Sequence, residues 1–366
     1  MQKRVRVVIV FNEPTIKTTD GIKYVTESGL LKENMTRENV VTLSSEGTID
    51  LSEVGVLDEL LVVQSAIQSQ GHSALLFNMN GDTQRLIHFL DEERPDLVFN
   101  LCESVGKYSI HEMHVAAIYE LMGIPYTGAG PLTLGSCLNK ARTKEILSYH
   151  GIPTPRFRIF SSLPDNQSIN GDIRFPVIVK PAHEDASTGI DNDSIVMSVE
   201  SLIKRVRMIF QKYEQSAIVE EYIEGRELNV AIIGNAPPQV LPISEIDFSG
   251  LPQGYPHIVT YSAKWHEGTV EYIGTKGVCP AVLPVSIENK IKDIALRGYT
   301  ILGCRDYARV DIRMTADWNL YVLEVNPNPD LSPDAGFARS IRGAGMCYEE
   351  GIGRIITYAL ERTSSL

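Results

Sequence analysis

The sequence predicts an α/β protein with three lobes. A chain of 366 residues is too long for one simple core, since a domain usually holds about 100–200 residues. Strand and helix patterns alternate over roughly the first 125 residues, which predicts a parallel sheet covered by helices. From about residue 175 strand patterns predominate. We expect lobes at residues 1–128, 129–216 and 217–366, the last with a long loop at about 247–284.

The first lobe opens with an apolar run and continues as a strand–helix alternation. VRVVIVF is typical of a buried strand rather than a signal peptide, because no small-residue cleavage site follows it. A polar stretch over residues 13–52 comes next, and Gly71 ends the following helical pattern. The remaining patterns are, in order, helical VLDELLVVQSAIQSQG, strand SALLFN, helical DTQRLIHFLDEE, strand PDLVFNL and helical HEMHVAAIYELMG.

The second and third lobes begin with one predicted helix, SCLNKARTKEILSYHG, which the prolines of PTPRFRIF end. A Gly- and Pro-containing loop from Asp247 to Pro284 interrupts the later strands, and loops of this length usually have a function. The other predicted elements are strands FPVIVKP, SAIVEEYI, ELNVAIIG and PQVLPISEI, helices at 198–213 and ENKIKDIALRGYTILG, strands ARVDIRM and LYVLEVN, and helices near 334–344 and 348–362.

Composition restricts the possible partners and cell compartment. A net charge of −12 disfavours nucleic acid, since phosphate backbones require a basic surface, but it permits a nucleotide held by a few local cations. No apolar run approaches the roughly 18 residues of a membrane helix, so we expect no membrane partner. The five cysteines lack metal-ligand spacing, and their odd number argues against a disulfide framework. A cytoplasmic location is expected.

The strands ARVDIRM and LYVLEVN are expected to form a hairpin with one acidic face. A two-residue turn at Asp317 and Trp318 would place Asp311 opposite Glu324. Because faces alternate along a strand, the other face would be apolar. That apolar face would contain Val310, Ile312, Tyr321, Leu323 and Val325.

The acidic face of this hairpin has the composition of a divalent-metal site. In the same pairing Arg309 lies opposite Asn326. The amide of Asn326 is therefore on the same face as the carboxylates of Asp311 and Glu324. Like charges directly opposed are destabilising, and oxygen ligands of this kind suit Mg²⁺. The alternative is a solvated hairpin face with a chance acidic pair.

Two lysines and a short loop are candidates for binding phosphate. Lys180 ends the buried strand FPVIVKP, where an unpaired ammonium is costly and an anionic phosphate would offset that cost. The small residues after it, including Ser187, suit a loop whose backbone N–H groups close over phosphate. Lys140, at a helix start, is a weaker candidate. The alternative is a surface hairpin with Lys180 reaching water.

The segment IVEEYIEGREL suits a nucleotide hinge. The backbone of residues 220–223 can read an adenine edge, and Glu227 can accept hydrogen bonds from ribose hydroxyls. A charged hairpin without a ligand is the alternative. In the long loop, Lys264 and His266 are either residues of a mobile lid or solvated side chains.

Taken in order, these segments resemble ATP-grasp enzymes, most closely the D-alanine–D-alanine ligase branch. The resemblance extends from about residue 95 and is carried by DLVFNL, GIPYTGAGPLTLGSCLNKARTKEIL, GIPTP, FPVIVKPA, VEEYIEGREL and ARVDIRM with YVLEVNPNP. It implies ATP between the second and third lobes, two Mg²⁺ ions with Mn²⁺ as a substitute, carboxylate and amine substrates, and a possible homodimer.

The resemblance also implies individual roles. It makes Arg309 and Lys264 catalytic, Arg309 by steadying the acyl phosphate and tetrahedral intermediate and Lys264 by reaching the γ-phosphate from the mobile loop. The implied metal ligands are Asp311, Glu324 and Asn326. The implied ATP-binding residues are Lys140, Lys180, Ser187, Glu220, Glu221, Tyr222, Ile223 and Glu227.

The sequence departs from the family pattern where amino-acid substrates would bind. Ala186 and Trp265 replace a serine and a tyrosine, and Asp330 and Ala335 replace a glycine and a serine after the metal asparagine. The N-terminal glycine-rich pattern is absent, and NLCES, with Cys102 and Glu103, replaces a histidine-containing segment. Lost polar contacts of about 1–3 kcal/mol each are enough to change specificity.

The substrate pocket is therefore expected to contain Ala186, Trp265, Asp330 and Asp334. The two aspartates favour an amine-bearing partner, although Asp334 also suits a helix N-cap and Trp265 a loop-packing role. The expected function is an ATP-dependent carboxylate–amine ligase with substrates other than two D-alanines. The alternatives are D-alanine–D-alanine ligase activity, an ATP-grasp kinase, and a nucleotide-binding protein without catalysis.

Overall fold

A computed structural model describes residues 4–12, 16–18, 21–25, 31–33, 55–105, 108–164, 169 and 173–363. Apart from three short strands, the polar stretch at 13–52 lies outside these described residues. No described helix is long and apolar enough to cross a membrane.

The N-terminal part contains the parallel sheet that the sequence predicts. The sheet has the strand order β5-β1-β6, and its middle strand β1 is buried at every position after Arg6. The short strands β2, β3 and β4 form a separate antiparallel sheet. The elements are β1 (Arg6–Phe11), β2 (Ile16–Thr18), β3 (Gly21–Val25), β4 (Leu31–Glu33), α1 (Gly55–Ser69), β5 (Ser73–Asn78), α2 (Thr83–Glu93), β6 (Leu97–Leu101) and α3 (His111–Leu121).

The single helix predicted over SCLNKARTKEILSYHG is two helices, α4 (Pro131–Leu138) and α5 (Lys140–Tyr149). Asn139 separates them with an extended backbone, and its side chain accepts a 3.0 Å hydrogen bond from the N–H of Arg142. An asparagine that caps the second helix in this way competes with helix continuation. Lys140 is consequently the first residue of α5, as its predicted position at a helix start required.

The central sheet has the strand order β7-β10-β8-β9, and all its neighbouring strands are antiparallel. One face packs against the buried residues of α6. Its elements are β7 (Phe157–Phe160), β8 (Val177–Pro181), a 3₁₀ turn (Asn192–Ser194), β9 (Ile195–Val196), α6 (Val199–Tyr213) and β10 (Ala217–Glu221). Since β10 pairs with β7 and β8, the central sheet extends to residue 221. The lobe boundaries stay predictions.

The C-terminal sheet has the order β14-β13-β11-β15-β16, and β12 also pairs with β11. The predicted loop at 247–284 contains two short helices and a strand of its own. The elements are β11 (Arg226–Ile233), β12 (Gln239–Val240), β13 (Ser244–Asp247), α7 (Tyr261–Trp265), α8 (Val270–Gly274), β14 (Lys276–Val278), α9 (Val285–Ile301), β15 (Tyr307–Met314), β16 (Leu320–Asn326), α10 (Gly336–Gly343) and α11 (Tyr348–Thr363).

The β15–β16 hairpin keeps the predicted pairing at its functional end but has a different turn. Residues 315–319 connect the strands, so the predicted two-residue turn at Asp317 and Trp318 is wrong. The longer connection shifts the register by one residue, and a bulge between Asp311 and Ile312 restores it. Tyr321 and Leu323 are therefore not on the buried apolar face as predicted. Instead that face contains Val310, Ile312, Met314, Leu320, Val322 and Val325, which pack with α9.

Candidate active site

The acidic face of the β15–β16 hairpin brings its polar side chains into direct contact. Asp311 pairs with Glu324, and the Asn326 amide nitrogen donates to Asp311 Oδ2 at 3.0 Å and to Glu324 Oε1 at 3.2 Å. From β11, Asn229 Nδ2 donates to Asp311 Oδ1 at 2.7 Å. Arg309 binds both oxygens of Asp311, with Nε–Oδ1 and Nη2–Oδ2 distances of 2.9 Å. The predicted metal ligands and catalytic arginine therefore occupy one site.

The surrounding cations hold Glu324 in its charged form. Burial acts to raise the pKa of Glu324, but Lys140, Lys180 and Arg309 outweigh it and lower the pKa to about 2. For Asp311, burial is only partly offset by Arg309, and the pKa lies above its ordinary value. The opposed carboxylates of Asp311 and Glu324 therefore differ in proton affinity. A divalent cation between them would favour the ionised form of both.

These residues fit a hard divalent cation in their donor chemistry. The described residues contain no cluster of three or more histidine, cysteine or carboxylate side chains suited to a metal. The ligand set would be Asp311, Glu324 and the Asn326 amide oxygen, so it leaves positions for phosphate oxygens and water, as Mg²⁺ requires. The bridging amide of Asn326 presently offers its nitrogen, and a 180° turn of that amide would present its oxygen.

Lys180 has a carboxylate partner within the protein, so its burial does not by itself require a phosphate. Its Nζ lies 3.1 Å from Glu220 Oε2, and Lys144 Nζ lies 3.4 Å from the same oxygen. The side chains of Lys144 and Glu220 are 0% and 1% exposed, so this is a buried ionic triad. Burial acts to raise the pKa of Glu220, but the two lysines outweigh it and lower the pKa. Glu220 Oε1 has no hydrogen-bond partner among the described residues.

Lys144 was not identified from the sequence, because its position in KARTKEIL resembles an ordinary helix-surface lysine. Besides Glu220, its Nζ donates to Thr154 Oγ1 at 3.1 Å and to the carbonyl of Leu323 at 3.0 Å. Leu323 lies in the hairpin bulge, directly before Glu324. Lys144 therefore connects the central sheet to the strand that carries a candidate metal ligand.

Lys140 lies between the phosphate loop and the acidic face. Its buried Nζ lies 3.2 Å from Asp185 Oδ1 and 3.9 Å from Glu324 Oε2, and it also donates to the carbonyl of Glu184. Lys140 was the weaker of the two predicted phosphate-binding lysines, yet it is only 6% exposed. It contacts both parts of the site that a triphosphate would join.

The backbone of the hinge is mostly committed to the sheet. The N–H groups of Glu221 and Tyr222 donate to the carbonyls of Arg156 at 2.8 Å and Pro176 at 3.1 Å. The Ile223 N–H has no partner among the residues that the structure describes. Among the described N–H groups of Glu221, Tyr222 and Ile223, the N–H of Ile223 is therefore the one that is free to donate to an adenine ring.

Glu227, the predicted ribose acid, is already in an ion pair. Its Oε2 lies 2.9 Å from Arg313, whose Nη1 also donates to the carbonyl of Gly225 at 2.9 Å. Burial raises the pKa of Glu227, and Arg313 opposes that shift. A ribose hydroxyl would therefore share this carboxylate with Arg313.

The long loop contacts the predicted phosphate loop directly. Trp265 Nε1 donates to the carbonyl of Ala186 at 3.0 Å, and Lys264 Nζ lies 4.7 Å from the Trp265 ring centre. Ala186 and Ser187 both have left-handed backbones, with φ of 54° and 63°, which non-glycine residues rarely adopt. The two loops form one covering over the site, and a strained backbone of this kind is frequent at ligand clamps.

The two predicted pocket aspartates differ in position. Asp330 Oδ2 lies 3.7 Å from Lys264 Nζ, and Lys264 and the Ser332 N–H outweigh burial and lower the Asp330 pKa. Asp334 is exposed, and the alternative prediction that it is the N-cap of α10 is wrong, because Ala335 occupies that position. Only Asp330 thus lies near a candidate catalytic group.

Several polar residues near Asp330 were missed as functional candidates. Glu59 is 4% exposed and accepts a 2.9 Å hydrogen bond from the Leu331 N–H, while Glu112 accepts one of 2.9 Å from Asn328 Nδ2. Burial raises the pKa of both glutamates. No short-range pattern indicates these contacts, which join residues more than 200 positions apart.

Comparisons with known proteins identify the family of the chain. The profile of the family described as D-ala D-ala ligase C-terminus matches residues 146–357. The D-alanine–D-alanine ligase of Carboxydothermus hydrogenoformans is 30% identical over 81% of this chain and 90% of its own length. The chain belongs to the D-alanine–D-alanine ligase family. An uncharacterized protein of Sinorhizobium fredii, y4sG, is also similar, at 35% identity over 82% of this chain and 87% of its own.

The fold of this family member is the ATP-grasp fold, as predicted. The crystal structure of the Bacillus anthracis D-alanine–D-alanine ligase complexed with ATP superposes with a TM-score of 0.69 at 22% identity, covering 98% of this chain and 99% of that one. A second structure of that ligase gives a TM-score of 0.71 at 21% identity. The family assignment makes the chain an ATP-dependent ligase of the D-alanine–D-alanine ligase type.

The buried triad of this ligase-family protein gives a stability prediction. Replacing Lys144 with Met leaves Glu220 with one ionic partner and removes the hydrogen bonds to Thr154 Oγ1 and the Leu323 carbonyl, so we expect a loss of about 1–3 kcal/mol in unfolding free energy. Urea unfolding of Lys144→Met, Glu220→Gln and the double variant would measure the coupling. Arg142→Met, on the exposed face of the same helix, is the control and should change stability by less than about 0.5 kcal/mol. Additive losses would contradict the triad.

Lys144 also gives a pH prediction. Burial outweighs the attraction of Glu220 and lowers the pKa of Lys144 to about 8, well below that of an ordinary lysine. Protonated Lys144 supports Glu220 below this pH and loses that role as the pH rises through 8. We expect kcat/KM for ATP to fall between about pH 7 and 9. In Lys144→Arg the fall should move to higher pH, and an unchanged profile would contradict the assignment.

Proposed function

We propose that this protein is an ATP-dependent carboxylate–amine ligase that forms an amide bond through an acyl phosphate, with Mg²⁺ as the metal and substrates other than two D-alanines. One observation carries the proposal: Arg309, Asp311, Glu324, Asn326 and Lys140 meet at one end of a hairpin. A solvated hairpin with a chance acidic pair does not explain this arrangement, because Asp311 is buried and every side chain is engaged.

In the proposed reaction a substrate carboxylate oxygen attacks the γ-phosphorus of ATP, and ADP leaves. The amine nitrogen of the second substrate then attacks the acyl carbon, the C–O bond to phosphate breaks, and the amine loses a proton. When bound, Mg²⁺ held by Asp311, Glu324 and Asn326 supplies charge neutralisation between phosphoryl oxygens. The roles of the chain itself are binding, orientation and protection from water.

Each role falls on residues whose positions support it. Lys140 and Lys180 are the buried cations beside the acidic face, where phosphate would bind. The Arg309 guanidinium is positioned to stabilise the oxyanion that forms at the acyl carbon. Lys264 and Trp265, in the loop that contacts Ala186, would exclude water and close over phosphate. The Ile223 N–H would donate a hydrogen bond to the adenine of ATP.

ADP release tests the proposal across a matrix of carboxylates and amines, with product mass measured for each productive pair. We expect turnover to require ATP, Mg²⁺, a carboxylate and an amine together, and the product mass to equal the sum of both substrates less water. D-alanine alone giving efficient ADP release would restore the D-alanine–D-alanine ligase alternative. Turnover without an amine would indicate a kinase, and an absence of ADP with every pair would contradict the ligase proposal.

A further inference from the structure

A second arginine, Arg339, reaches toward Arg309 from the first turns of α10. Its Nε donates to Ser244 Oγ at 3.1 Å and its Nη1 donates to the carbonyl of Asp334 at 2.6 Å. A Cβ added to Gly277 would lie only 2.1 Å from Arg339 Cζ, so a residue without a side chain is needed there to seat the guanidinium. Two neighbouring strands thus fix the position of Arg339.

Arg339 forms no ion pair with a described carboxylate. Its hydrogen-bond acceptors are a hydroxyl and a carbonyl, and no Asp or Glu of the described chain lies within ion-pair distance. Arg309, in contrast, is bound by both oxygens of Asp311. Burial, and then the charge of Arg309, lower the pKa of Arg339, and the attraction of the Asp334 carboxylate only partly opposes them. A partly buried cation beside a second cation is costly unless an anion binds there.

The Nη2 nitrogen of Arg339 lies near Gly336, beside Arg309 and Asn229. A Cβ built on Gly336 would lie 3.5 Å from Arg339 Nη2, 3.5 Å from Arg309 Cδ and 3.1 Å from Asn229 Oδ1. Asn229 uses its other amide atom, Nδ2, to bind Asp311. Arg339 Nη2, the nitrogen with no acceptor among the described residues, is therefore adjacent to the candidate catalytic arginine.

We propose that Arg339 determines specificity by binding an anionic group on the amine substrate. The inference rests on the proposed ligase function and narrows its amine class to amino acids and other amines that carry a carboxylate or similar anion. The free Nη2 can donate a charge-assisted hydrogen bond to such a group, and the guanidinium charge attracts an anion but not a neutral substituent. The position of Arg339 beside Arg309 would direct the amine nitrogen toward the acyl carbon.

Paired amines test this inference with the intact enzyme and each productive carboxylate from the matrix. Amino acids are compared with their amides, for example glycine with glycinamide and D-alanine with D-alaninamide. We expect the amino acid to be preferred, and Arg339→Gln to lower its kcat/KM by about 10–100-fold through KM. KM for ATP and use of the amide should not change, and Arg339→Lys should recover part of the loss. Arg342→Gln, an exposed arginine of the same helix, is the control.

Equal use of acid and amide, or an Arg339→Gln variant that matches Arg342→Gln, would overturn the inference and leave the ligase proposal intact. Arginine modification by phenylglyoxal, mapped by mass spectrometry in the presence of ATP and Mg²⁺, gives a readout that needs no turnover. We expect glycine, alanine, aspartate or glutamate to protect Arg339 while the matching amide does not. Should none protect it, the inference is wrong even if the matrix fails to reveal a ligase.

Discussion

Replacing Glu324 with glutamine is expected to lower kcat by about 10³-fold or more while the fold stays intact. The change removes one of two carboxylates from the candidate metal site but keeps the side-chain shape and the hydrogen bond with Asn326. The loss of negative charge should also weaken Mg²⁺-dependent ATP binding. Steady-state kinetics at varied Mg²⁺, with circular dichroism as a check on folding, would measure both effects.

The same hairpin provides a matched control for this substitution. Asp317 is an exposed acid in the connection between the two strands, so Asp317→Asn removes the same charge from the same element. We expect Asp317→Asn to retain kcat within about twofold, because exposed positions away from a site have small effects. Comparable activity in Glu324→Gln and Asp317→Asn would show that the metal assignment is wrong.

Replacing Arg309 with methionine is expected to lower kcat by about 10²–10³-fold, the usual effect of losing one oxyanion-stabilising donor. The substitution also leaves the buried Asp311 without its bidentate partner, which should cost about 3–5 kcal/mol of unfolding free energy. Mg²⁺ should restore part of this stability, because a bound cation would neutralise the same carboxylate. Kinetics and urea unfolding with and without Mg²⁺ would measure the two effects separately.

Arg309→Lys separates charge from geometry at this position. The lysine keeps a positive charge near Asp311 but cannot make the two parallel hydrogen bonds, so stability should recover more than kcat does. Equal recovery of both would argue that Arg309 serves only to pair with Asp311. A methionine variant with normal kcat would remove Arg309 from the catalytic assignment.

Local periodicity predicted the α/β class and the composition of the acidic face, whereas the ATP-grasp fold was implied by the resemblance to the family. Asp311 and Glu324 alternate with apolar neighbours, so their common face follows from the strand repeat. The predicted pairing of Asp311 with Glu324 is confirmed, although the predicted two-residue turn is wrong. A five-residue connection and a bulge together give the same register at these two residues. A bulge depends on packing and on partners such as Lys144, which no strand pattern contains.

The buried charges were the least predictable part of the site. A lysine in a helix and a glutamate in a strand carry no local signal that they will meet, and Lys144 and Glu220 are 76 positions apart in the chain. Asn229 did have a local signal, because it follows Glu227 at the two-residue spacing of a strand with one polar face. The contact between Arg339 and the backbone of Gly277 depends on three segments folding together.

Isotope transfer from the substrate carboxylate tests the central claim most directly. If the enzyme activates a carboxylate by phosphorylation, a productive substrate labelled with ¹⁸O in both carboxylate oxygens must pass one ¹⁸O to each phosphate released. We predict one labelled oxygen per phosphate, as measured by mass spectrometry. Unlabelled phosphate, with both ¹⁸O atoms left in the carboxylate, would contradict the proposed chemistry.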